Sequence, residues 1–165
     1  MNDQLKPAAA RTESSVVIDA PFNLVWDMTN DVANWPNLFD EYASAEILHR
    51  QGATVRFRLA LHPEENGKVW SWVSERVMDR ENKSVTAHRV ETGPFAFMNI
   101  RWQYTQTTDG VEMRWVQEFH MKPQAPLDDA GMAERITRNS KIQMALIKER
   151  VEAAARSRRG VEAVR

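Results

Sequence analysis

Hydrophobic and polar residues alternate with a period of two through most of the chain between residues 42 and 121. In the stretch TVRFRLAL, which begins at Thr54, every second residue is apolar and the two arginines fall on the opposite side. Such alternation is typical of β-strands that bury one face. Turn residues separate these segments, which predicts six antiparallel strands. They cover residues 42–49, 54–61, 68–79, 84–90, 97–107 and 111–121.

Helical spacing replaces this alternation before residue 42. A short strand at residues 14–19 is followed by apolar residues that recur at the spacing of a helix from Phe22 to Thr29. A second short helical segment follows and is interrupted at Pro36. The first part of the chain therefore contributes one strand and two short helices.

A long helix is predicted at the other end of the chain. It begins at Asp128 or Asp129, which can cap its first turn, and runs to about Ala155. One stripe along it is apolar except near its middle. The polar residues there are Asn139, Ser140 and Gln143.

The order of elements predicts an α+β fold. A curved antiparallel sheet cannot bury its concave face alone, so the long helix must lie across it and enclose a space. We expect one domain at residues 13–155, a disordered N-terminal extension at residues 1–12, and a basic, frayed tail at residues 156–165.

Composition excludes several classes of function. The 22 basic and 23 acidic residues nearly cancel, so nothing favours binding to nucleic acid or to an anionic membrane. The chain has no cysteine, which rules out disulfides and thiolate nucleophiles, and its four histidines lack the spacing of metal ligands. No apolar run has the length of a membrane span and no signal peptide is recognisable, so we expect a cytoplasmic protein.

The stretch VWSWVSER, from Val69 to Arg76, contains an unusual mixture of side chains. In a strand, Trp70, Trp72, Ser74 and Arg76 share one face. A packed core would exclude the arginine and a water-facing surface has little use for two indoles, whereas a ligand cavity uses both. An arginine at the end of a strand that reaches solvent or a structural carboxylate is the alternative, and the sequence leaves both interpretations open.

Tyr42 carries a phenol that could donate to an oxyanion or relay a proton. It shares a predicted helical face with Trp35 and Phe39, so it could equally belong to a hydrophobic plug. Ser74 could orient Arg76 or hold a water, but no histidine is paired with it, which makes it a poor nucleophile.

The last two strands add two more rows that suit a cavity wall. One contains Trp115 and Gln117 among apolar residues and the other contains Trp102, although core packing explains the aliphatic members equally well. In the preceding strand His88 and Arg89 alternate, so only one of them can face the cavity. These patterns indicate an aromatic pocket that belongs to a carrier or to an enzyme of mild acid–base chemistry.

Four stretches strongly resemble the bacterial polyketide aromatase/cyclases, in particular the single-domain tetracenomycin and spore-pigment enzymes. From residues 20, 68, 88 and 112 onward they read APFNLVWDMTNDVANWPNLFDEYASAEIL, KVWSWVSERV, HRVETGPFAFMNI and EMRWVQEFHMKPQAP. The match covers essentially residues 12 to 150, in order. The resemblance implies the helix-grip fold of the START and birch-pollen-allergen superfamily, which agrees with the order of elements above.

The resemblance also implies an activity. By similarity, the substrate is a linear poly-β-ketone held as a thioester on an acyl carrier protein, and the other subunits of a type II polyketide synthase are further partners. The protein would fold this chain, direct the regiospecific aldol closure of the first ring and often of the second, and promote dehydration to an aromatic product. The resemblance implies that neither a metal nor an organic cofactor takes part.

Individual residues match functional positions of this family. Arg76, Tyr42 and Ser74 match its catalytic positions, and Arg89 and Gln117 match polar positions of the substrate pocket. The wall positions that bind substrate are matched by Trp35, Phe39, Trp70, Trp72, Phe95, Met98, Trp102 and Trp115.

A second class of function is compatible with the same fold. Many helix-grip proteins only carry ligands, so a non-catalytic protein that binds or chaperones a hydrophobic molecule is the alternative to a cyclase. Transfer of a lipid or sterol fits less well, because the row contains the charged Arg76 and because of the four matching stretches.

Overall fold

The segments that alternate form strands, and the segments with helical spacing form helices. The computed structural model describes the backbone of residues 8–164 and the side chains of residues 8–160. The strands are β1 Ala10–Ile18, β2 Tyr42–Gln51, β3 Thr54–Leu61, β4 Ser71–Asp79, β5 Ser84–Arg89, β6 Phe95–Thr107 and β7 Gly110–Met121. The helices are α1 Phe22–Asn30, a 3-10 turn Val32–Asn34, α2 Trp35–Leu38 and α3 Asp129–Val164.

The strands of this part of the chain form a single antiparallel sheet of seven strands in the order β1-β7-β6-β5-β4-β3-β2. Strands β2 to β7 follow one another as neighbours, so each pairing is local, while β1 adds to the free edge of β7. The curved sheet wraps around α3 in the helix-grip manner, which confirms the predicted α+β fold.

Helix α3 buries its apolar stripe against the inner face of the sheet. Met144, Ile147 and Val151 are almost completely inaccessible and belong to the same cluster as Val111 and Met113 of β7. Burial of each such side chain contributes roughly 1.5–3 kcal/mol relative to its exposure. The C-terminal half of the predicted stripe is therefore the main anchor of α3.

Both ends of the folded part lie further out than the sequence predicts. Strand β1 begins at Ala10, opposite Phe119, so residues 10–12 belong to the sheet rather than to a disordered extension. Helix α3 runs past Ala155 to Val164, through a segment whose three arginines, Glu162 and Ala163 are good helix formers. Residues 8 and 9 of the predicted extension have no regular structure, and residues 1–7 lie outside the described residues.

The second helical segment also differs from the prediction. Helix α2 begins at Trp35, and Pro36 lies in its first turn, where proline needs no hydrogen-bond partner for its nitrogen. Phe39 already has an extended backbone and Tyr42 begins β2, so these side chains do not share a helical face with Trp35. The predicted helix is too long because the chain leaves the helical conformation after Leu38.

Among the described residues, no helix combines the length and the apolar character that a membrane crossing requires.

Candidate active site

Aromatic rings from five elements meet on the inner face of the sheet. Trp35 lies 5.0 Å from Phe39 and 5.9 Å from Tyr42, measured between ring centroids, although no helix aligns them. Trp102 of β6 and Trp115 of β7 are opposite each other in the sheet and stack at 4.7 Å. Trp72 of β4 also contacts Tyr42, at 6.4 Å. We call these six rings the aromatic cluster.

Several planes in the aromatic cluster are nearly parallel. The angle between planes is 17° for Tyr42 and Trp35, 19° for Trp35 and Trp102, and 13° for Trp102 and Trp115. Phe39 continues the series at 18° from Trp115. Parallel faces of this kind can accept a flat conjugated molecule between them.

Arg76 lies beside this cluster and is buried, with 2% of its surface exposed. Its guanidinium carbon is 4.0 Å from the ring centre of Trp102 and 5.2 Å from that of Trp35, within the range of cation–π attraction. None of the ion pairs in the described part of the chain includes Arg76. The interpretation as an exposed arginine or as a partner of a structural carboxylate is therefore wrong.

Asn30 at the end of α1 supplies the main acceptor for this cation. Both Nε and Nη2 of Arg76 donate to Asn30 Oδ1, at 3.1 and 2.8 Å. Burial lowers the pKa of Arg76 to about 10, and the Tyr104 phenol opposes this shift. The guanidinium therefore keeps its charge at neutral pH.

A network behind Arg76 fixes Asn30. Asn30 Nδ2 donates to the carbonyl of Trp26 at 3.0 Å and to the Tyr104 hydroxyl at 3.3 Å. Tyr104 and the Thr29 hydroxyl lie 2.7 Å apart, and Thr29 also donates to the carbonyl of Val25. Neither Asn30 nor Thr29 was predicted as a site residue, because Thr29 only continues the helical spacing and Asn30 only indicates the end of the helix.

Arg89 is the second cation on the inner face, and His88 is exposed on the outer face. The Arg89 guanidinium carbon lies 4.3 Å from the ring centre of Trp72 and 4.9 Å from that of Phe95, and Nη1 donates to the carbonyl of Thr92 at 2.8 Å. Burial lowers the pKa of Arg89 to about 10, so it too stays charged.

Tyr42 lies close to both arginines and to the carboxylate of Glu41, which was not among the predicted site residues. Burial, together with the neighbouring Glu41, raises the pKa of Tyr42 well above its usual value, although the positive fields of Arg76 and Arg89 oppose the shift. The phenol is therefore neutral and can donate a proton or a hydrogen bond. Burial raises the pKa of Glu41, while hydrogen bonds from Asn139 and Tyr42 act against the increase.

The polar middle of α3 holds the segment before Tyr42. Gln143 Nε2 donates to Asp40 Oδ1 at 2.6 Å, and its Oε1 accepts from the backbone N–H of Asp40 at 3.1 Å. Asn139 Nδ2 donates to Glu41 Oε2 at 2.7 Å. The interruption of the apolar stripe, which is visible in the sequence, is thus explained by contacts that position Tyr42.

The remaining polar residues of the predicted site also lie on the inner face. Ser74 is buried and is opposite Arg89 in the sheet. Gln117 Oε1 accepts from the Thr12 hydroxyl at 2.6 Å, so its oxygen is already occupied. Ser74 is thus a neighbour of the second cation, and Gln117 is tied to β1.

Three predicted wall residues lie outside the aromatic cluster. Phe95 and Met98 belong to a second apolar cluster with Phe119, against the first turns of α3. Trp70 lies in the loop before β4, and its Nε1 donates a hydrogen bond to Glu64 of the same loop at 2.5 Å. Alternation misplaced Trp70 because the strand begins only at Ser71.

The rings of the aromatic cluster contact one another, with distances of 4.7 to 6.4 Å between neighbouring centroids. Two depressions, of about 610 and about 670 Å³, lie on the outer face of the sheet and between β1 and α3. Neither is lined by a predicted site residue. Within the described range, no three His, Cys, Asp or Glu side chains converge as metal ligands.

Comparison with known proteins gives a family and several relatives. Residues 9–152 match the family described as "Polyketide cyclase / dehydrase and lipid transport". A Streptomyces cyaneus protein named as a polyketide cyclase is 62% identical over 144 residues, which cover 87% of this chain and 95% of the relative. The actinorhodin polyketide synthase bifunctional cyclase/dehydratase of Streptomyces coelicolor is 27% identical over 143 residues, 86% of this chain and 44% of that protein.

A solved structure supports the fold. The Zhui aromatase/cyclase from Streptomyces sp. R1128 superimposes with a TM-score of 0.75 at 20% identity, covering 87% of this chain and 94% of its own. The resemblance to aromatase/cyclases that the four sequence stretches indicate is confirmed by these matches.

Proposed function

The chain belongs to the polyketide cyclase/dehydrase and lipid transport family, and we propose that it is an aromatase/cyclase acting on a linear poly-β-ketone. The observation that carries this proposal is the position of Arg76, a buried cation that has no carboxylate partner among the described residues and lies against two indole faces. Burying a charge is costly unless acceptors surround it, so its retention favours a ligand with electron-rich oxygens.

The aromatic cluster would select one closure among many. A poly-β-ketone has acidic methylenes between its carbonyls, so its enolisation is easy and its conformation is the harder problem. Nearly parallel rings can hold a conjugated chain in one bent shape, which accelerates closure by proximity and orientation. Because the rings contact one another in this structure, we expect binding to separate them.

Arg76, Tyr42 and Glu41 would handle the charges and protons of the aldol step. The enol carbon attacks a ketone carbon, and the new alkoxide develops beside the Arg76 guanidinium. Tyr42 donates its phenolic proton to this alkoxide. Glu41 accepts the proton lost from the methylene and returns it to Tyr42 through their hydrogen bond. Loss of water from the aldol then yields the aromatic ring, with no net change in protons on the protein.

Ser74 and Arg89 would act on the substrate from the neighbouring strands. Ser74 lies opposite Arg89 and can hold a water or a carbonyl next to its guanidinium. Arg89 provides a second site for an electron-rich oxygen, so the chain would be gripped at two points.

By this proposal the substrate arrives on an acyl carrier protein of a type II polyketide synthase, whose other subunits are further partners. The first ring is closed here, and the second where the chain can bend far enough. The product would enter a spore-pigment or related aromatic pathway, and the reaction would take place in the cytoplasm without a cofactor.

A non-catalytic binding or chaperone protein is the second candidate. It is favoured by one observation, namely that Asn30 already occupies two donors of Arg76, as expected for a cation with a structural role. In that case ring closure would be spontaneous and the aromatic walls alone would direct it.

Reconstitution with a minimal polyketide synthase separates the two candidates. We expect Tyr42→Phe and Arg76→Lys to lose the correct first-ring product, since the first removes a proton donor and the second removes the planar fork of donors. Arg56→Lys, on the outer face, is the matched control and should keep the wild-type product profile. Unchanged profiles in both site variants, together with a changed profile in Trp72→Ala, would establish the chaperone and refute the enzyme.

A further inference from the structure

We infer that the indole N–H of Trp115 donates a hydrogen bond to an oxygen atom of the bound ligand. Trp115 is 4% exposed, and its Nε1 is the one buried side-chain nitrogen or oxygen of the described residues that has no hydrogen-bond partner. Buried donors without partners are rare in folded proteins, so each of them requires a specific explanation. Only the identity of the ligand as a ketone rests on the proposed function.

The protein satisfies indole donors elsewhere. Trp35 Nε1 donates to the carbonyl of Thr29 at 3.2 Å in the interior, and Trp70 Nε1 donates to Glu64 at the surface. Trp35 belongs to the same aromatic cluster as Trp115, which shows that a backbone acceptor can be provided at that depth. The lack of an acceptor for Trp115 is therefore a local property of its site.

The surroundings of Trp115 explain why no protein group serves as acceptor. Trp102 stacks on it at 4.7 Å with an angle of 13°, and Phe39 lies at 6.1 Å and 18°, so its neighbours present ring faces rather than oxygen atoms. A phenylalanine would fill much of this space without an unpaired donor. An unpaired buried donor destabilises the ligand-free protein, and this donor becomes useful when a ligand supplies the acceptor.

Trp115 also lies near the cation of the site. Trp102 is the common neighbour, since the Arg76 guanidinium carbon is 4.0 Å from its ring centre. A flat molecule among these rings would meet a charged donor at one point and a neutral donor at another. Such a pair suits a ligand that has several carbonyl or enol oxygens along a conjugated body, and it suits the hydrocarbon tail of a lipid poorly. Of the two activities in the family description, the donor at Trp115 therefore favours ketone chemistry over lipid transport.

A matched pair of small ligands tests this inference. The bicyclic ketone 1-tetralone and the hydrocarbon tetralin have the same ring system and differ by one carbonyl oxygen. We expect Trp115→Phe to weaken binding of 1-tetralone about 3- to 10-fold, as for loss of one hydrogen bond, and to change binding of tetralin less than about 2-fold. Equal changes for both ligands, or none for either, would overturn the inference.

Two controls keep the test independent of folding and of catalysis. Trp35→Phe removes a satisfied donor and leaves the Thr29 carbonyl unpaired, so it should destabilise the protein more than Trp115→Phe does. In the wild-type protein, the Trp115 indole signal in a 15N-correlated NMR spectrum should shift downfield with 1-tetralone and not with tetralin; an unmoved signal contradicts the inference without any variant. Failure of ring closure in the reconstituted pathway would refute the proposed function and leave this ketone preference intact.

Discussion

Arginines on the two faces of the sheet differ in their exposure and in their partners. On the outer face Arg56 pairs with Glu75 at 2.8 Å and Arg58 pairs with Glu91 at 3.0 Å, and all four side chains are partly or largely in contact with water. On the inner face Arg76 lies against indole rings and has an amide oxygen instead of a carboxylate. Consecutive residues of β4, Glu75 and Arg76, thus belong to two different electrostatic environments.

This difference in environment distinguishes the outer arginines, which keep the surface soluble, from the inner arginines, which we propose bind a ligand. Exposed ion pairs contribute little to stability, because water screens them and both side chains lose conformational freedom. A buried cation without a carboxylate lowers stability, since its desolvation is only partly offset by dipoles and ring faces. The outer arginines therefore need no ligand, whereas the inner arginines are best explained by an electron-rich ligand.

Removal of the inner charge should produce the largest effect. We expect Arg76→Met to lower the rate of correct ring closure by at least about 100-fold, as for loss of a donor to an oxyanion. Its free energy of unfolding should stay within about 1 kcal/mol of the wild-type value or rise, because an apolar side chain of similar length needs no desolvation. Denaturant unfolding and product analysis provide the two measurements.

Arg56→Met is the control for that experiment and should leave both quantities nearly unchanged. A large loss of stability in Arg76→Met would show that Asn30 and Tyr104 depend on the guanidinium for folding. The contrast between the two faces would then be structural rather than functional.

The position of the second inner cation depends on a glycine. Gly93 has a φ of +57°, and a Cβ at this residue would lie 3.0 Å from Arg89 Nη1. Gly52 has a φ of +58° with nothing within 4 Å of such a Cβ, so Gly52→Ala has the backbone strain without the contact. We expect both alanine variants to lose roughly 1–2 kcal/mol of stability, and only Gly93→Ala to weaken ketone binding. Equal binding in both variants would show that the exact position of Arg89 is unimportant.

The fold could be predicted from the sequence because its signals are local. Alternation within each strand fixes which side chains share a face, and this placed Ser74 and Arg76 inward. The same rule failed for Trp70, since alternation has no meaning where the strand has not yet begun. The helical face predicted for Phe39 and Tyr42 failed because the helix ends at Leu38, although their rings do meet.

The parts of the site that could not be predicted join distant positions in the chain. Asn30 contacts Arg76 across 46 residues, and Asn139 contacts Glu41 across 98 residues. Sequence spacing carries no information about such pairs; it shows only that a polar residue interrupts a buried stripe. Contact between the rings of the cluster also depends on packing between elements, which spacing along the chain does not predict.

We expect the burial of a carboxylate on the inner face to affect stability, as it does for the inner arginines. Burial raises the pKa of Glu41 above its ordinary value of 4.5, so the unfolded chain ionises first as the pH rises. The stability of the wild-type protein should therefore fall as the pH increases from 4.5 through the raised pKa. Glu41→Gln should lack this loss, so its stability relative to wild type should increase over the same pH range.

The exposed Glu46 of β2 is the control carboxylate for this measurement. Glu46→Gln makes the same substitution at an exposed position of the same strand region, so it reports the effect of the substitution without burial. A parallel pH profile for Glu41→Gln and wild type would show that Glu41 is as well solvated as the outer carboxylates, and its proposed role as a proton acceptor would lose its support.

The smallest effect is expected from the outer pair itself. A double-mutant cycle on Arg56 and Glu75 should give a coupling free energy of about 0.2–1 kcal/mol, measured by denaturant unfolding, and this coupling should shrink at high salt. Screening reaches this pair because 46% and 26% of the two side chains are exposed. The effect of Arg76→Met on stability should show no such salt dependence, since Arg76 is buried. A strong, salt-insensitive coupling in the outer pair would mean that both faces hold their arginines structurally, and burial would no longer identify the cation that binds substrate.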